Sequence, residues 1–424
     1  MNAASVPSTR KRQENIDSHP CFAAGCHGRT ARMHIAVAPR CNISCNYCLR
    51  KYDCVNESRP GVTSTVLDPD EALERFLVAR TQLDNLAVVG IAGPGDPLAN
   101  WEQVKRTFHL IRGADPDIAF CLSTNGLYLP RYADEIVQAG VSHVTVTLNA
   151  VDPEIGAKIY GSVVYDGTAY RGTEGARLLL ENQLAGIKAL VDAGAIVKIN
   201  TVLIDGINVN HVIDVARRVA DLGATCQNIN SMIPVEGSRF QDVKPVDGKT
   251  LDAVRAACSR HIDQIRHCRQ CRADAVGELG CDISHALDQI MEQLKASKRI
   301  AVATTSGVTV DTHFGHARRF HVYDVGAGGA SFVEAREADP FCHGKSGCGE
   351  YEGNVFSRLG DCEAIVCAWA GPGPREELEE QGIRLFDASS SASPKMRESC
   401  SNGSVEDALN EAYRLIRDDK LKTL

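Results

Sequence analysis

Three cysteines near the start of the sequence are spaced as ligands of an iron–sulfur cluster. Cys41, Cys45 and Cys48 are separated by three and then two residues in the segment RCNISCNYC. Three thiolates at this spacing can bind three irons of a [4Fe-4S] cluster, which leaves the fourth iron open to a small chelating molecule. The alternatives are a structural zinc ion or buried cysteines that happen to be close, but zinc sites usually supply four ligands in two pairs. The spacing therefore favours an open cluster.

The elements that must position this loop alternate between apolar, strand-like runs and amphipathic helical stretches. Strands are predicted at residues 34–39, 86–93, 119–125, 143–150, 196–204 and 225–234, with helices between them that end near Gly140, Gly194 and Gly223. This order predicts an α/β fold with a parallel sheet, either open or curled into a partial (βα)6 barrel. Ligands of such sheets bind at the carboxyl ends of the strands, and the three cysteines directly follow the first strand.

The cysteine spacing, with Tyr47 just before the last cysteine, resembles the radical S-adenosylmethionine (SAM) superfamily. In that family the open iron chelates the amino and carboxylate groups of SAM, and one-electron reduction yields a 5′-deoxyadenosyl radical. The resemblance implies a partial radical SAM barrel with SAM bound at the strand ends. The residues predicted to contact SAM are Gly93, Gly95, Asp96, Ser123, Asn125, Thr147, Asn149 and Ile199.

Two of these predictions have ordinary structural alternatives. Asp96 could accept a hydrogen bond from the SAM ammonium, but Gly-Pro-Gly-Asp-Pro at 93–97 departs from the commoner Gly-Gly-Glu form and is also a typical turn sequence. Thr145, Thr147 and Asn149 alternate along the fourth strand, so they share one face. That face needs polar partners, which either a cofactor or solvent would provide.

The chain contains 17 cysteines, more than one cluster requires. The sequence shows no apolar core of a secretory signal, and we expect a cytoplasmic protein. There, reduced cysteines are metal ligands, catalytic groups or small core residues. Cys268 and Cys271 form a CxxC pair after the last predicted barrel helix. The pair could be a redox dithiol, but it does not begin a helix, and we interpret it as part of a second metal site at the barrel mouth.

Several segments together resemble the NifB family of nitrogenase cofactor biosynthesis proteins over residues 19–285. They are HPC at 19–21, VAPRCN at 37–42, DC at 53–54, ESRPGV at 57–62, AGPGD at 92–96 and residues 268–277. Family members combine two [4Fe-4S] clusters and one carbon atom from SAM into an eight-iron, carbide-centred cluster. That cluster, NifB-co, is the precursor of the nitrogenase iron–molybdenum cofactor. The resemblance implies a lyase-type radical enzyme that uses SAM both as a methyl donor and as a radical source.

The resemblance also implies which residues bind the clusters. The radical cluster would use Cys41, Cys45 and Cys48. One substrate cluster would use Cys21, Cys54 and, as a weaker ligand, His34. The other would use Cys121, Cys268 and Cys271.

Other roles are less constrained by the sequence. Catalytic roles are predicted for Cys121, His34, Glu57 and Arg59, the last two in proton handling. His34 could instead be a buried core histidine, and Glu57 with Arg59 could form only a salt bridge within a loop. The cysteines interpreted as small core residues are Cys226, Cys258 and Cys281.

A smaller α/β unit is predicted from residue 299 to 424. Its segment DTHFGHA at 311–317 resembles the NifX/NafY family of cofactor-carrier domains, so the unit is expected to receive or shield the product. Cys342, His343 and Cys348 could bind metal there or belong to an ordinary surface loop. The predicted division is a disordered lead-in at 1–18, the radical SAM barrel with its extensions at 19–285, a linker helix at 286–298 and the carrier domain.

Composition excludes some classes and limits the partners. The net charge of −8 argues against a nucleic-acid partner and so against a tRNA-modifying radical enzyme, and no apolar run is long enough to span a membrane. The cysteine content is also compatible with a peptide-modifying radical enzyme that carries auxiliary clusters, and with a non-enzymatic cluster scaffold. The NifB resemblance implies three kinds of partner: a low-potential electron donor (ferredoxin or flavodoxin), an iron–sulfur cluster donor, and downstream nitrogenase cofactor scaffold or carrier proteins.

Overall fold

The computed structural model describes residues 19–26, 29–49, 61–342, 354–389, 393–401 and 403–423. The chain separates into two compact units, residues 1–287 and 288–424. None of the helices in the described ranges is long and apolar enough to cross a membrane. Five residues with predicted roles lie outside these ranges, and the predictions for them stay predictions: Cys54, Glu57, Arg59, His343 and Cys348.

The first unit is built on a seven-stranded sheet that curls into a half-barrel. Six parallel strands lie in the order β1-β3-β4-β5-β8-β9, and β10 pairs antiparallel with β1. This confirms the predicted α/β fold with a partial barrel. The strands are β1 Ala31–His34, β3 Leu86–Ile91, β4 Ala119–Thr124, β5 Val141–Thr147, β8 Ile196–Leu203, β9 Cys226–Ser231 and β10 Val276–Gly277.

Helices connect the parallel strands and bury their apolar stripes. Gly140, Gly194 and Gly223 follow three of these helices with φ angles of 79°, 85° and 85°, the left-handed conformation that ends a helix and favours glycine. The predicted helix ends are therefore confirmed. The helices are α1 Pro69–Gln82, α2 Trp101–Ala114, α3 Leu129–Gln138, α4 Pro153–Ile159, α5 Gly172–Asp192, α6 Val212–Asp221, α7 Gly248–Cys258 and α8 Ser284–Lys295.

The cysteine loop takes part in a second, three-stranded sheet that was not predicted. In this sheet β2 (Ile43–Cys45) pairs antiparallel with β6 (Tyr160–Tyr165), which pairs with β7 (Thr168–Tyr170). A three-residue strand is too short to show a periodic pattern. The pairing places Cys45 opposite Tyr160.

Two boundaries differ from the sequence prediction for identifiable reasons. The first strand spans residues 31–34 rather than 34–39. Its start was predicted too late because Arg32, which is buried within the strand, interrupts the apolar run in the sequence. The sequence pattern predicts a further helix over residues 247–267, but α7 ends at Cys258, because the following segment runs beside β9 instead. There the Gln227 amide donates to the Asp263 carbonyl and the Ile265 amide donates to the Gln227 carbonyl, both at 2.8 Å.

The second unit has a five-stranded sheet in the order β13-β12-β11-β14-β15. Ile300 and Val302 pack into one apolar cluster, whereas Ala301 and Ala303 pack into another with Phe314. Because strand side chains alternate, this sheet is covered on both faces. Its elements are β11 Lys298–Ala303, β12 Arg319–Gly326, β13 Gly329–Glu337, α9 Val355–Leu359, β14 Ala364–Val366, α10 Pro372–Glu380, β15 Arg384–Phe386, α11 Pro394–Cys400 and α12 Val405–Thr423.

Candidate functional site

Cys41, Cys45 and Cys48 line a cavity at the carboxyl ends of the parallel strands, which we call the first cavity. Within the described ranges, no three Cys, His, Asp or Glu side chains are close enough together to hold one metal ion. A zinc ion needs such convergence, whereas the thiolates of a [4Fe-4S] cluster bind separate irons. The arrangement therefore fits a cluster better than zinc.

The loop after β3 is fastened to the chain that enters the cysteine loop. The Gly95 amide donates to the Ala38 carbonyl at 2.6 Å, and the Asp96 amide donates to the Arg40 carbonyl at 2.8 Å. A Cβ atom on Gly95 would overlap the Arg40 carbonyl, so only glycine permits this approach. Gly93, with φ of 147°, lies in the turn just before.

Asp96 is buried and lines the first cavity, but its carboxylate already has donors within the chain. It accepts hydrogen bonds from the Leu98 amide at 2.9 Å, the Thr124 hydroxyl at 2.9 Å and the Asn125 amide at 2.6 Å. Burial raises the pKa of this carboxyl, although these hydrogen bonds oppose the shift. Asp96 thus ties the loop after β3 to the end of β4, and its contact with the SAM ammonium stays a prediction.

Two asparagines support the cysteine loop from the strand ends. The Asn125 amide nitrogen lies 3.8 Å from the Cys41 Sγ and donates to the Asn42 Oδ1 at 2.7 Å. The Asn149 amide nitrogen donates to the Tyr47 hydroxyl at 3.0 Å. Asn149 therefore holds the aromatic residue that precedes Cys48.

The remaining predicted SAM contacts divide into two groups. Ser123 and Thr147 line the first cavity, and so does Asn200 on β8. Ile199 is fully buried and is not among the residues that line this cavity, so a contact with adenine would have to come from its main chain. In the described part of the chain, the buried Ser231 hydroxyl on the cavity wall has no hydrogen-bond partner. A polar cofactor would supply that partner, so these residues fit a [4Fe-4S] cluster with SAM.

A second cavity adjoins the first and collects six cysteine and histidine side chains, of which His267 was not predicted as a ligand and five were. Its wall includes Cys21, His34, Cys121, Cys268 and Cys271. These residues come from the segment before β1, the end of β1, the interior face of β4 and the loop before β10. The residues that line both cavities are Gly61, Ala92, Ser123, Asn200, Asn230 and Gln270.

Strand register explains how His34 and Cys121 come together. His34 pairs with Gly90 on β3, and Gly90 pairs with Cys121 on β4. A Cβ atom on Gly90 would lie 3.2 Å from the His34 Cδ2 and 3.7 Å from the Cys121 Cβ. The missing side chain at position 90 thus leaves room for the imidazole and the thiol.

His34 has the tautomer that a metal ligand needs. Its Nδ1 lies 3.0 Å from the Arg272 carbonyl, and because a carbonyl can only accept, Nδ1 carries the proton. Burial, followed by the nearby Arg32 charge, lowers the pKa of His34 to about 4, so the ring is neutral. Nε2 therefore keeps its lone pair, as in metal-bound histidines whose other nitrogen donates to a carbonyl.

The Cys268–Cys271 loop is held by polar contacts around the second cavity. The Arg32 guanidinium donates to the Cys271 Sγ at 3.1 Å and also to the Gly277 carbonyl. The Asn230 amide nitrogen lies 3.7 Å from the Cys268 Sγ. Gln270, between the two cysteines, has a φ of 51°, which turns the chain sharply there.

Lys198 is a functional candidate that was not predicted from the sequence. It is 7% exposed on β8 and lines the second cavity among the cysteines. A lysine inside IVKINTVL, a run that reads as an interior barrel strand, is the signal that could have identified it. Burial lowers its pKa, but the negative charge that Cys21, Cys121 and Cys268 carry as thiolates raises it, and the net shift is upward. Burial also raises the pKa of Cys121 to about 12, so this thiol stays protonated until a metal replaces the proton.

The cysteines interpreted as core residues are not all buried. Cys226 and Cys258 are buried, in agreement with that interpretation. For Cys281 the interpretation is wrong, because the residue is exposed. It lies in a turn after β10, where its amide donates to the Glu278 carbonyl at 3.1 Å.

In the second unit, the predicted histidine loop forms an aromatic group. The rings of His313 and His316 have centroids 5.0 Å apart, and His313 also lies 4.9 Å from Trp369. His316 and Trp369 are exposed, and the Cys342 amide donates to the Gly315 carbonyl at 2.8 Å. This surface offers imidazole and aromatic groups to a ligand.

Comparison with known proteins agrees with both units. The radical SAM superfamily model matches residues 35–219, and the model described as dinitrogenase iron-molybdenum cofactor matches residues 296–413. Among solved structures, Streptococcus suis SuiB is 12% identical, with a TM-score of 0.43 over 62% of this chain and 54% of that chain, a likeness too low to add to the argument.

The curated relatives are much more similar. The FeMo cofactor biosynthesis protein NifB of Klebsiella pneumoniae is 41% identical, and the match covers 86% of each chain. The NifB proteins of Frankia alni and Azotobacter vinelandii are 39% and 37% identical, and each match covers 87% of this chain and 84% of the relative. The chain is a radical SAM enzyme, and that family implies a [4Fe-4S] cluster and SAM as its cofactors. From these matches, the chain belongs to the NifB family of FeMo cofactor biosynthesis proteins.

Proposed function

We propose that this chain fuses two [4Fe-4S] substrate clusters and inserts a carbide carbon derived from SAM, which gives the eight-iron precursor of the nitrogenase iron–molybdenum cofactor. The observation that carries the proposal is the second cavity. It gathers four thiols and the His34 imidazole directly beside the cavity that holds Cys41, Cys45 and Cys48. An enzyme that acted on an organic substrate would need such soft ligands only to hold auxiliary clusters.

In this proposal the two cavities divide the work. Cys41, Cys45 and Cys48 would hold the resident [4Fe-4S] cluster, which with SAM supplies the 5′-deoxyadenosyl radical by one-electron reductive cleavage. Asn125 and Asn149 keep the cysteine loop in position through their contacts with Cys41 and Tyr47. The chain thereby orients the reacting groups and excludes water, while the cofactors carry the chemistry.

The substrate clusters would occupy the second cavity. A sulfide of one substrate would receive a methyl group from one SAM molecule, which leaves S-adenosylhomocysteine. That methyl group would then lose a hydrogen atom to the radical derived from a second SAM, which leaves 5′-deoxyadenosine. Loss of the two remaining protons and cleavage of the carbon–sulfur bond, with electrons drawn from the irons of the fusing substrate clusters, would give the carbide in a lyase-type reaction. Glu57 and Arg59 are proposed to handle those protons.

The ligands of the second cavity suit a product that must leave. Cys21, Cys54 and His34 are proposed for one substrate cluster and Cys121, Cys268 and Cys271 for the other. His34 is the most readily displaced, because a neutral imidazole binds iron less strongly than a thiolate. We also propose three kinds of partner. A ferredoxin or flavodoxin would reduce the chain, and a cluster donor would supply its iron–sulfur clusters. The second unit would shield the product for downstream scaffold or carrier proteins, and these steps would occur in the cytoplasm.

The test is to count iron, acid-labile sulfide and SAM products in anaerobically reconstituted chain. Three four-iron sites predict about twelve irons and twelve sulfides per chain. Addition of reductant and SAM is expected to give both S-adenosylhomocysteine and 5′-deoxyadenosine. About four irons would leave only the radical cluster and contradict the proposal. About twelve irons without either SAM product would favour a non-enzymatic scaffold instead.

A further inference from the structure

Lys198 places a positive charge on the wall of the second cavity. The residue lies on β8, level with Thr145 of β5 and Cys226 of β9 in the sheet register. The period-two alternation of β8 puts Lys198 and Asn200 on the same interior face, and both line the second cavity. The side chain is 7% exposed, so its ammonium is almost completely removed from solvent.

Within the described ranges, the contacts of this ammonium include no carboxylate that would balance its charge. Its Nζ donates to the Cys21 carbonyl at 3.3 Å and lies 4.6 Å from the centre of the Phe22 ring. Among the described residues, no carboxylate lies within salt-bridge distance of Lys198, in contrast to buried Arg272, which pairs with Asp274 at 3.0 Å. A buried ammonium without a counter-ion costs free energy that an apolar side chain in the same place would not.

A second buried cation contacts Cys271 from behind the wall of this cavity. Arg32 is 2% exposed and donates to the Cys271 Sγ at 3.1 Å. The cavity therefore combines soft ligands with buried positive charge, which together fit a bound anionic metal cluster.

We propose that Lys198 is the positioning residue for the substrate clusters: its ammonium donates to sulfides or cysteine thiolates of both clusters and holds them next to each other during fusion. This inference rests on the proposed function and names the residue that neutralises its substrate. A thiolate-ligated [4Fe-4S] cluster carries negative charge on its sulfurs, and an ammonium has three donors in a flexible arrangement. Lys198 is not among the residues that line the first cavity, so it acts on the substrates alone.

The test compares Lys198→Met with Lys198→Arg in the full chain, reconstituted anaerobically with ferrous iron and sulfide. Lys198→Met keeps the length of the side chain but removes the charge, and we expect uptake of the substrate iron to weaken by at least roughly tenfold. The radical cluster and its spectroscopic response to SAM should be retained. In the fraction of Lys198→Met protein that still binds substrate clusters, the midpoint potential of these clusters should become more negative. A nearby positive charge favours the reduced state, and the variant lacks that charge.

Two further variants separate charge from packing. Lys198→Arg should restore most of the iron uptake and the potential, which a purely structural role would not require. Lys188→Met is the matched control, because Lys188 is an exposed lysine on α5 paired with Asp192. It should load like the unmodified chain.

The outcomes separate this inference from the proposed function. About twelve irons in the unmodified chain together with normal loading and an unchanged potential in Lys198→Met would overturn the role of Lys198 alone. About four irons in the unmodified chain would overturn the proposed function, and the inference with it. Failure of Lys198→Arg to restore loading, while the radical cluster is intact in both variants, would also overturn it.

Discussion

The two cavities of the first unit are built in different ways from the same kinds of side chain. The first cavity takes its three cysteines from eight consecutive residues, whereas the second draws its ligands from four segments that span most of the unit. A local loop can offer its thiols whenever the short strand β2 is in place. A site assembled from distant segments exists only when the whole sheet is folded. The difference suits a resident cofactor in the first case and a substrate that enters and leaves in the second.

The largest effect is expected when the three cysteines of the first cavity are removed together. In Cys41→Ala/Cys45→Ala/Cys48→Ala we expect 5′-deoxyadenosine to fall to background and iron to fall by about four per chain, while the second cavity still loads. Chromatography of the SAM products and iron analysis measure both. Cys281→Ala, an exposed cysteine outside either cavity, is the control. Loss of all iron in the triple variant would show that the cavities are not independent.

The reciprocal change removes two proposed cluster ligands from the second cavity. Cys268→Ala/Cys271→Ala should keep the radical cluster and its response to SAM, but the eight-iron product should drop to below about a tenth of normal, because one substrate loses two of its proposed ligands. Electron paramagnetic resonance and extraction of the product give the two readings. Product at normal yield would show that this pair is not a ligand set.

A smaller effect is expected where the two loops of the first cavity meet. Gly95→Ala would force a Cβ atom against the Arg40 carbonyl and should lower the free energy of unfolding by about 2 kcal/mol, with weaker SAM binding. Gly113→Ala is the matched control, since nothing lies within 4 Å of a Cβ there and it lies in a helix. It should raise the free energy of unfolding by about 0.5–1 kcal/mol. Equal effects in thermal unfolding and SAM titration would contradict the proposed loop contact.

The smallest effect is expected at Cys226, which is buried next to the second cavity. Cys226→Ala removes one sulfur atom from the core and should cost about 1 kcal/mol of unfolding free energy, with product yield unchanged. Thermal unfolding and product extraction test this. A clear loss of substrate iron in Cys226→Ala would show that Cys226 is a ligand and belongs to the second cavity.

The same difference decides what the sequence could predict. The spacing of Cys41, Cys45 and Cys48 is local, and the glycines after the helices are local too, so both could be read directly. The gathering of Cys21, His34 and the distant CxxC pair depends on strand register and long-range pairing, and it came only from family resemblance. Lys198 was not predicted because an alternating strand pattern does not show which of its polar residues is buried.

The two main-chain bonds from Gly95 and Asp96 bear on how such proteins can diverge. Bonds between amides and carbonyls do not depend on side-chain identity, so this loop can keep its place while its residues other than Gly95 change. Gly-Pro-Gly-Asp and the commoner Gly-Gly-Glu can therefore occupy the same position. A search for the sequence motif would miss relatives with further substitutions. A search of structures for main-chain hydrogen bonds between the loops that follow the first two parallel strands would still find them.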